Sequence, residues 1–380
     1  MGKGANSISW LIYFSMLLFL GLLAVYLGYY YPDQAMDFNS LYQSLSAYNQ
    51  SLSPYQSSYY VHANLTVYGN NLNPPIFLLL FGFLAKLNFS SAYIVWSVIS
   101  SLSLICGLHI CFKLNHVSNA KYVVIFICLS FPVLANIVLG QMGNIIFFLL
   151  ISGYYFYINK YENSSAVVWG ALIALKLFPG LILIYLLNQR SFQLVFKVIM
   201  VVIGISLLPL LSNLNLYDQY YQSLQHITWY SHSWNMSLIG MIYKLGLTRT
   251  SSAEWFNILA LLGYMLNACL LILYVYLLTR YKQGKAQQFA LTSIFMCLLS
   301  PLCWVYYLPI LIFPALLLCA KKSEQNYLYY GLSLLLMMPV LNCFIARECM
   351  AWLTIMTLGS MPFWAMLIMI RGLYGKHEKI

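Results

Sequence analysis

The chain has 380 residues, 62% hydrophobic and only 7% charged, with 19 Lys and Arg against 8 Asp and Glu. Soluble domains carry about 25% charged residues, so this composition excludes a soluble globule, and so apolar a chain is equally far from a disordered one. The net charge of +11 is strewn singly between apolar runs, which is how membrane orientation signals are distributed and not how a nucleic-acid surface is built. The fold class that follows is an all-α polytopic membrane protein with membrane lipids, and no nucleic acid, as surroundings. Nine cysteines fall almost wholly inside apolar runs with no CxxC pair, so neither a disulfide frame nor a zinc site is indicated.

Taken in chain order, Lys3 precedes an apolar run over residues 8–30. It is long enough to span a bilayer, and no small-x-small cleavage site precedes Pro32, so it is expected to be a retained first helix and not a signal peptide. Residues 31–73 bring Ser, Asn, Gln and Tyr, two acids and no Lys or Arg, the marks of a loop outside the cytoplasm. Residues 74–87 are apolar, but they fall short of the about twenty residues needed to span, and their leading Pro-Pro cannot continue a helix from upstream. Further apolar runs follow at 92–112, 122–139, 145–158, 166–187, 194–211, 255–278, 289–299, 305–318, 328–344 and 350–370.

Two parities fit this order. With 74–87 as a crossing and 166–187 as one helix, Lys113, Lys121 and Lys160 face outward. With 74–87 as a short helix in the outer leaflet and 166–187 as a re-entrant pair broken near Pro179, only Lys86, Lys176, Lys244, Arg249 and Arg347 of the 19 basic residues stay outside or at membrane depth. The second parity obeys the positive-inside rule. It predicts about eleven or twelve transmembrane helices in a single membrane domain, residues 1–380, with both termini cytoplasmic. Residues 1–253 form a core-like module carrying outer loops 31–73 and 212–254, and 254–380 complete its cavity.

Polar groups at membrane depth are expensive and therefore informative. Of the eight acids, Glu162, Glu324 and Glu378 sit beside cytoplasmic lysines, leaving Asp33, Asp37, Asp218, Glu254 and Glu348 on the outer side. Asp33 and Asp37 stand four apart and would share a helix face. They read either as an acid/base or metal-binding pair or as acids that cap a helix and complement its dipole. Asp218 and Glu254, the latter three residues after Ser251, read as caps.

Lys176 lies inside AVVWGALIALKLFPGLILIYLL with Pro179 beside it. A helix broken at depth lines a polar cavity, and a lysine there requires an anion: an acid of the protein, or, fitting better, the phosphate of a lipid carrier. Polar clusters at 140–144 (GQMGN), 234–237 (WNMS) and 300–307 (SPLCWVYY) are readable singly as caps and breakers. Together with Asp37 and Lys176 they converge on one outer mouth. Most of the 33 tyrosines belong to interfacial belts, and some are placed to stack on sugar rings. No Walker A, GxGxxG, HExxH or GxSxG pattern occurs.

The stretch DFNSLYQSLSAYNQSLSPY at 37–55, followed by NPPIFLLLFGFL at 73–84, resembles the opening of glycosyltransferase family 87, polyprenol-phosphate-sugar-dependent, mannosyltransferase-type enzymes of the C-type superfamily. The likeness continues through GQMGN, KLFP at 176–179 with Asn188-Gln189-Arg190, WNMSLIG at 234–240 and SPLCWVYY, spanning roughly residues 10–318. The resemblance implies a C-type glycosyltransferase fold in the plasma membrane and an inverting hexosyl transfer, of mannose first, at the outer face. The partners implied are a polyprenyl-phosphate-linked sugar donor and a glycan or glycolipid acceptor in cell-envelope glycan biosynthesis. It maps the catalytic base onto Asp37 and not Asp33.

In this reading Lys176, Gln141, Asn144 and Tyr306 hold the donor phosphate, while Tyr42, Tyr55, Trp234, Asn235, Trp304 and Tyr307 contact substrate. No cofactor is implied and, without a DxD-type pair, no metal. One departure stands out: relatives often carry a histidine one or two places after the tryptophan of SPxxW, where this chain has Val305, Tyr306 and Tyr307. Three rival readings remain. A flippase of lipid-linked sugars predicts inverted repeats that the sequence does not display. A surface-glycan polymerase or ligase predicts an arginine-rich outer loop, where only Arg249 occurs. The third is a non-catalytic subunit of surface-glycan assembly.

Overall fold

A computed structural model describes residues 4–32, 35–55, 71–115, 120–225, 227, 229–246, 253–280, 284–319, 331 and 360–374. Asp33, Arg249, Glu324, Arg347 and Glu348, together with the predicted run 328–344, lie outside or almost wholly outside those residues. The described chain is helical, and its one β-type contact is an isolated antiparallel bridge between Asn235 and Trp304.

The first helix, α1 (Gly4–Tyr30), is followed by the amphipathic α2 (Met36–Asn49). The short α3 (Ile76–Phe81) runs on into a 3₁₀ turn, Gly82–Lys86, so the Pro-Pro segment forms the brief apolar helix expected of it. Helices α4 (Phe89–Asn115), α5 (Ala120–Cys128), α6 (Phe131–Leu139) and α7 (Gly143–Ile158) come next. The run 122–139 is two helices and not one. Pro132, near the start of α6, has no amide hydrogen to bond back into α5 and its ring clashes with the preceding turn.

The chain continues through α8 (Glu162–Leu175), a 3₁₀ turn at Phe178–Leu181, α9 (Ile182–Asn188), and α10 (Phe192–Leu207) with a 3₁₀ turn at Leu208–Leu211. Then come α11 (Leu216–Gln225), α12 (Leu238–Gly246), α13 (Ala253–Arg280) and α14 (Lys285–Leu299). The 3₁₀ segment Val305–Leu311 leads into α15 (Ile312–Cys319), and α16 (Met361–Tyr374) closes the described chain.

Among the described residues four helices are long and apolar enough to cross a membrane: α1, α4, α10 with its 3₁₀ extension, and α13. The α6–α7 pair, bent by 119°, makes a fifth if counted as one broken span. Of the eleven or twelve expected, several fall among the described residues as shorter apolar helices, Phe178–Asn188, Val305–Leu318 and Met361–Tyr374, while the run 328–344 lies almost wholly outside the described residues. Half of the apolar window of α4 is buried against only 11% of that of α13, so α4 is central and α13 peripheral. Helix α4 packs between α1 and α7, and α8 packs against α7 and α10. Aromatic rings fill the centre, with Tyr154 stacked on Phe289 at 4.0 Å and Trp96 and Trp169 fully buried.

The break between α8 and α9 sits at Lys176 itself, three residues before Pro179. Lys176 is extended (φ −150°, ψ 129°) and ends α8, while Pro179 occupies the 3₁₀ turn that starts the chain again. Among the described residues the one ion pair is Lys197 with Glu162 at 3.2 Å, part exposed and bridging α10 and α8. Pairs of that kind contribute at most about 1 kcal/mol, and Lys176 is not in one.

Candidate functional site

Two glycines set the site. The GQMGN loop joins α6 to α7. Gly140 ends α6 in the left-handed conformation (φ 71°, ψ 42°), and a Cβ there would lie 2.3 Å from the Cβ of Phe38. Only glycine combines that backbone with that contact. The Gly140 carbonyl accepts from Trp96 Nε1 at 2.8 Å, so α4 holds the turn while α2 presses against it. This brings Gln141 to the first turn of α2, where its side chain hydrogen-bonds Asp37.

Gly143 does the same on the other side. A Cβ there would meet the Tyr306 carbonyl oxygen at 1.7 Å. Asn136, fully buried, ties the two chains together: its Oδ1 accepts from Gly143 N at 2.6 Å and its Nδ2 donates to Tyr306 O at 2.7 Å and Pro132 O at 2.8 Å. The loop is thus clamped between α2 and the 305–311 segment.

Asp37 is not the N-cap of α2. The cap position is Ala35, which makes no side-chain bond, and the carboxylate turns inward. Burial pushes its carboxyl above the ordinary carboxylate value, and the Gln141 hydrogen bond pulls it partly back. The carboxylate also lies within electrostatic reach of the Tyr306 and Tyr307 phenols.

A cavity of about 750 Å³ opens here, within the usual size of a ligand site. Asp37, Gln141, Lys176, Trp234, Trp304, Tyr306 and Tyr307 all line it. Lys176 Nζ stands 5.7 Å from the centre of the Tyr307 ring, which also packs on Phe178 at 5.3 Å. The expected convergence of charged and aromatic groups from four distant stretches of sequence is therefore present.

Four expected substrate contacts have other partners. Asn144 turns into the helix bundle and donates to Ser100 Oγ at 3.1 Å. Tyr42 donates to Leu87 O at 2.7 Å and Tyr55 to Asn73 O at 2.9 Å, so both brace loop backbone. Asn235 is a clamp whose capacity is spent: Oδ1 accepts from Cys303 N and Ser237 N, and Nδ2 donates to Tyr230 O and Pro301 O. With Met236 N on Cys303 O and Val305 N on Trp234 O, it knits WNMS to SPLCW and holds the two tryptophans on one wall. None of the four side chains lines the cavity.

Asp218, expected as a cap, lies inside the first turn of α11 and accepts from Gln222 Nε2 at 2.9 Å. Its charge still complements the helix dipole.

Sequence reasoning missed several residues. Ser40, Asn71, Asn73 and His232 all line the cavity. The His232 ring sits edge-on to Trp304 at 5.1 Å, and its Nδ1 accepts from Trp234 N at 3.2 Å. An imidazole does stand beside Trp304, supplied by the WNMS side and not by the positions after Trp304. Behind this wall Lys244, only 4% exposed, donates to Ser233 O at 3.1 Å and Asn235 O at 2.7 Å. Burial draws its pKa down to about 7. A lone short run of polar residues gives no sign of such pairings, which link positions far apart in the chain.

Residues 71–301, more than half of the chain, match the family model described as glycosyltransferase family 87. The chain belongs to glycosyltransferase family 87. No curated protein and no solved structure matches it. The family 87 match takes in Gln141, Lys176 and Trp234 and stops at Pro301, so Asp37 on one flank and Tyr306 on the other are brought to the cavity by the fold around the matched region. This family 87 member is a membrane glycosyltransferase, and membership implies a sugar donor and an acceptor meeting at one site.

Proposed function

We propose that the protein transfers a hexose, mannose first, from a polyprenyl-phosphate-linked donor to a hydroxyl of a glycan or glycolipid. The reaction inverts the anomeric carbon and takes place at the outer face of the plasma membrane. The observation that carries this reading is that Asp37 and Lys176, a recessed carboxylate and a lysine without an ion-pair partner among the described residues, line the same cavity. The 19 basic residues support the orientation, because the parity that faces the cavity outward keeps all but five of them inside.

Asp37 takes the proton of the acceptor hydroxyl as that oxygen attacks the anomeric carbon from the side opposite the phosphate. The carbon–oxygen bond to the phosphate breaks with its electron pair going to the phosphate oxygen. Such a leaving group needs charge stabilisation more than protonation, and Lys176 supplies it, with Gln141 and Tyr306 as neutral donors. One base suffices for a single displacement, and this route calls on no metal or cofactor. Trp234, Trp304 and Tyr307 offer apolar faces to the sugar rings.

The test uses purified protein with radiolabelled polyprenyl-phosphate mannose, glucose or arabinose and a membrane extract as acceptor. Label is expected to enter product from the mannose donor, and Asp37→Ala is expected to lower transfer about 10²–10⁴-fold while donor binding persists. Retained turnover in Asp37→Ala would sink the assignment. Lys176→Ala is expected to raise the donor KM about tenfold or more. An unchanged donor KM with a smaller folded fraction would make Lys176 a structural residue.

A further inference from the structure

Asn71 and Asn73 lie in the segment that enters α3, 2% and 5% exposed, and both line the cavity beside Asp37 and Ser40. Their amides are locked by one another. Asn71 Oδ1 accepts from the Asn73 backbone N at 3.0 Å and from Asn73 Nδ2 at 2.8 Å. A backbone N–H can only donate, so the oxygen of Asn71 has to face it, and the nitrogen of Asn73 has to face that same oxygen. The orientation of both amides is thereby fixed. What remains is one donor, Asn71 Nδ2, and one acceptor, Asn73 Oδ1, and both atoms are buried without a hydrogen-bond partner among the described residues.

Leaving such groups unpaired in the closed site is costly. The backbone around them is held firmly. Asn73 O accepts from Tyr55, and Asn71 O accepts from Ser223 on α11 at 3.5 Å, so neither amide can swing away to find a partner elsewhere. A hydroxyl is the group that meets both needs, since it accepts on a lone pair and donates its own hydrogen.

We propose that Asn71 and Asn73 form a paired donor–acceptor subsite that reads a hydroxyl of the sugar held in the cavity. This rests on the transferase reading above and adds to it the group that decides which sugar is accepted. The sugar is either the one transferred or the acceptor's own, and the recognising chemistry is the same for both. Asn71 and Asn73 act in binding and specificity, not on the reacting atoms. A site built to bond a hydroxyl strongly rejects the analogue that lacks it, because its own buried groups are then left unpaired.

The experiment uses the full-length protein in lipid nanodiscs and measures equilibrium binding of two probe series. One is the farnesyl phosphate of whichever sugar is transferred in the radiolabel assay, with its monodeoxy forms. The other is octyl α-mannopyranoside with its monodeoxy forms. In the wild type, one monodeoxy form of one series is expected to bind about tenfold more weakly than its parent, or worse. Loss in the farnesyl series assigns the subsite to the transferred sugar, and loss in the octyl series assigns it to the acceptor.

In Asn71→Asp, which keeps Oδ1 for the Asn73 donors and puts a carboxylate oxygen, an acceptor, in place of the Nδ2 donor, that discrimination is expected to shrink to about twofold or less when measured at a pH high enough to ionise the new carboxyl. The wild-type series stands whether or not the variant folds. Equal binding of all monodeoxy forms in the wild type, or full discrimination persisting in folded Asn71→Asp, overturns the subsite and leaves the transferase reading intact. Failure of both parent probes to bind the wild type overturns the subsite, whereas absence of transfer from every donor in the radiolabel assay overturns the transferase reading and the subsite with it.

Discussion

Gln141→Met tests the proposed base through its nearest partner. The residue reaches Asp37 only because the left-handed turn at Gly140 lets α2 close on the GQMGN loop, and its amide bonds the carboxylate. A hydrogen bond to a charged group is worth about 1.5–3 kcal/mol, and one pKa unit corresponds to about 1.36 kcal/mol. Asp37 is half-buried and opens onto the cavity, so the lower end applies. The sign of the shift follows from which form the bond favours. Gln141 donates to the ionised carboxylate and lowers its pKa, opposing the larger upward effect of burial. Met keeps the volume and removes the donor, so the pKa rises further. A base works when deprotonated, and activity is lost as pH falls through that pKa. The acidic limb of kcat/KM is therefore expected to lie above the ordinary carboxylate range in the wild type and to move to higher pH in the variant. Initial rates across about pH 4 to 9 read this directly. A limb that stays in place, or moves to lower pH, refutes the placement of the bond or the role of Asp37.

Three further outcomes follow from the same contacts. Because the folded Asp37 carboxyl titrates above its unfolded value of 3.8, the folded state binds the extra proton between the two values and stability falls as pH rises through that window. Asp37→Asn removes this term, so its Tm is expected to gain on the wild type as pH rises from about 4, and parallel Tm curves would contradict it. Gly143→Ala forces the Tyr306 carbonyl away from a 1.7 Å clash, at about 1–3 kcal/mol or more. A displacement of about 1 Å at the cavity wall is expected to cut kcat/KM about 10²-fold, measured beside thermal unfolding to separate the two effects. Asn136→Ala orphans the Gly143 amide and the Tyr306 carbonyl, and unfolding followed by tryptophan fluorescence is expected to show a loss of about 2–6 kcal/mol.

Composition alone determined that the chain is a helical membrane protein, because 7% charged residues cannot clothe a soluble surface. The same scarcity isolated Lys176, because a charge in an apolar run is costly and needs a reason, and it narrowed the outer acids to five, among which the family resemblance and not the charge count singled out Asp37. The Pro-Pro helix and the break beside Pro179 were legible for a similar reason, since proline acts on its own backbone and the preceding turn. Neutral polar residues were not legible. Asn144, Asn235, Tyr42 and Tyr55 resembled substrate contacts, yet each gives its side-chain donor to a protein group, several of them far along the chain, as Asn235 does to Pro301. Asn71 and Asn73 carried no role in the sequence, yet they line the cavity and keep a buried donor and acceptor unspent. A charge declares its cost locally, while whether an amide is satisfied depends on which backbone groups the fold brings within 3 Å, and that is decided only when distant segments meet.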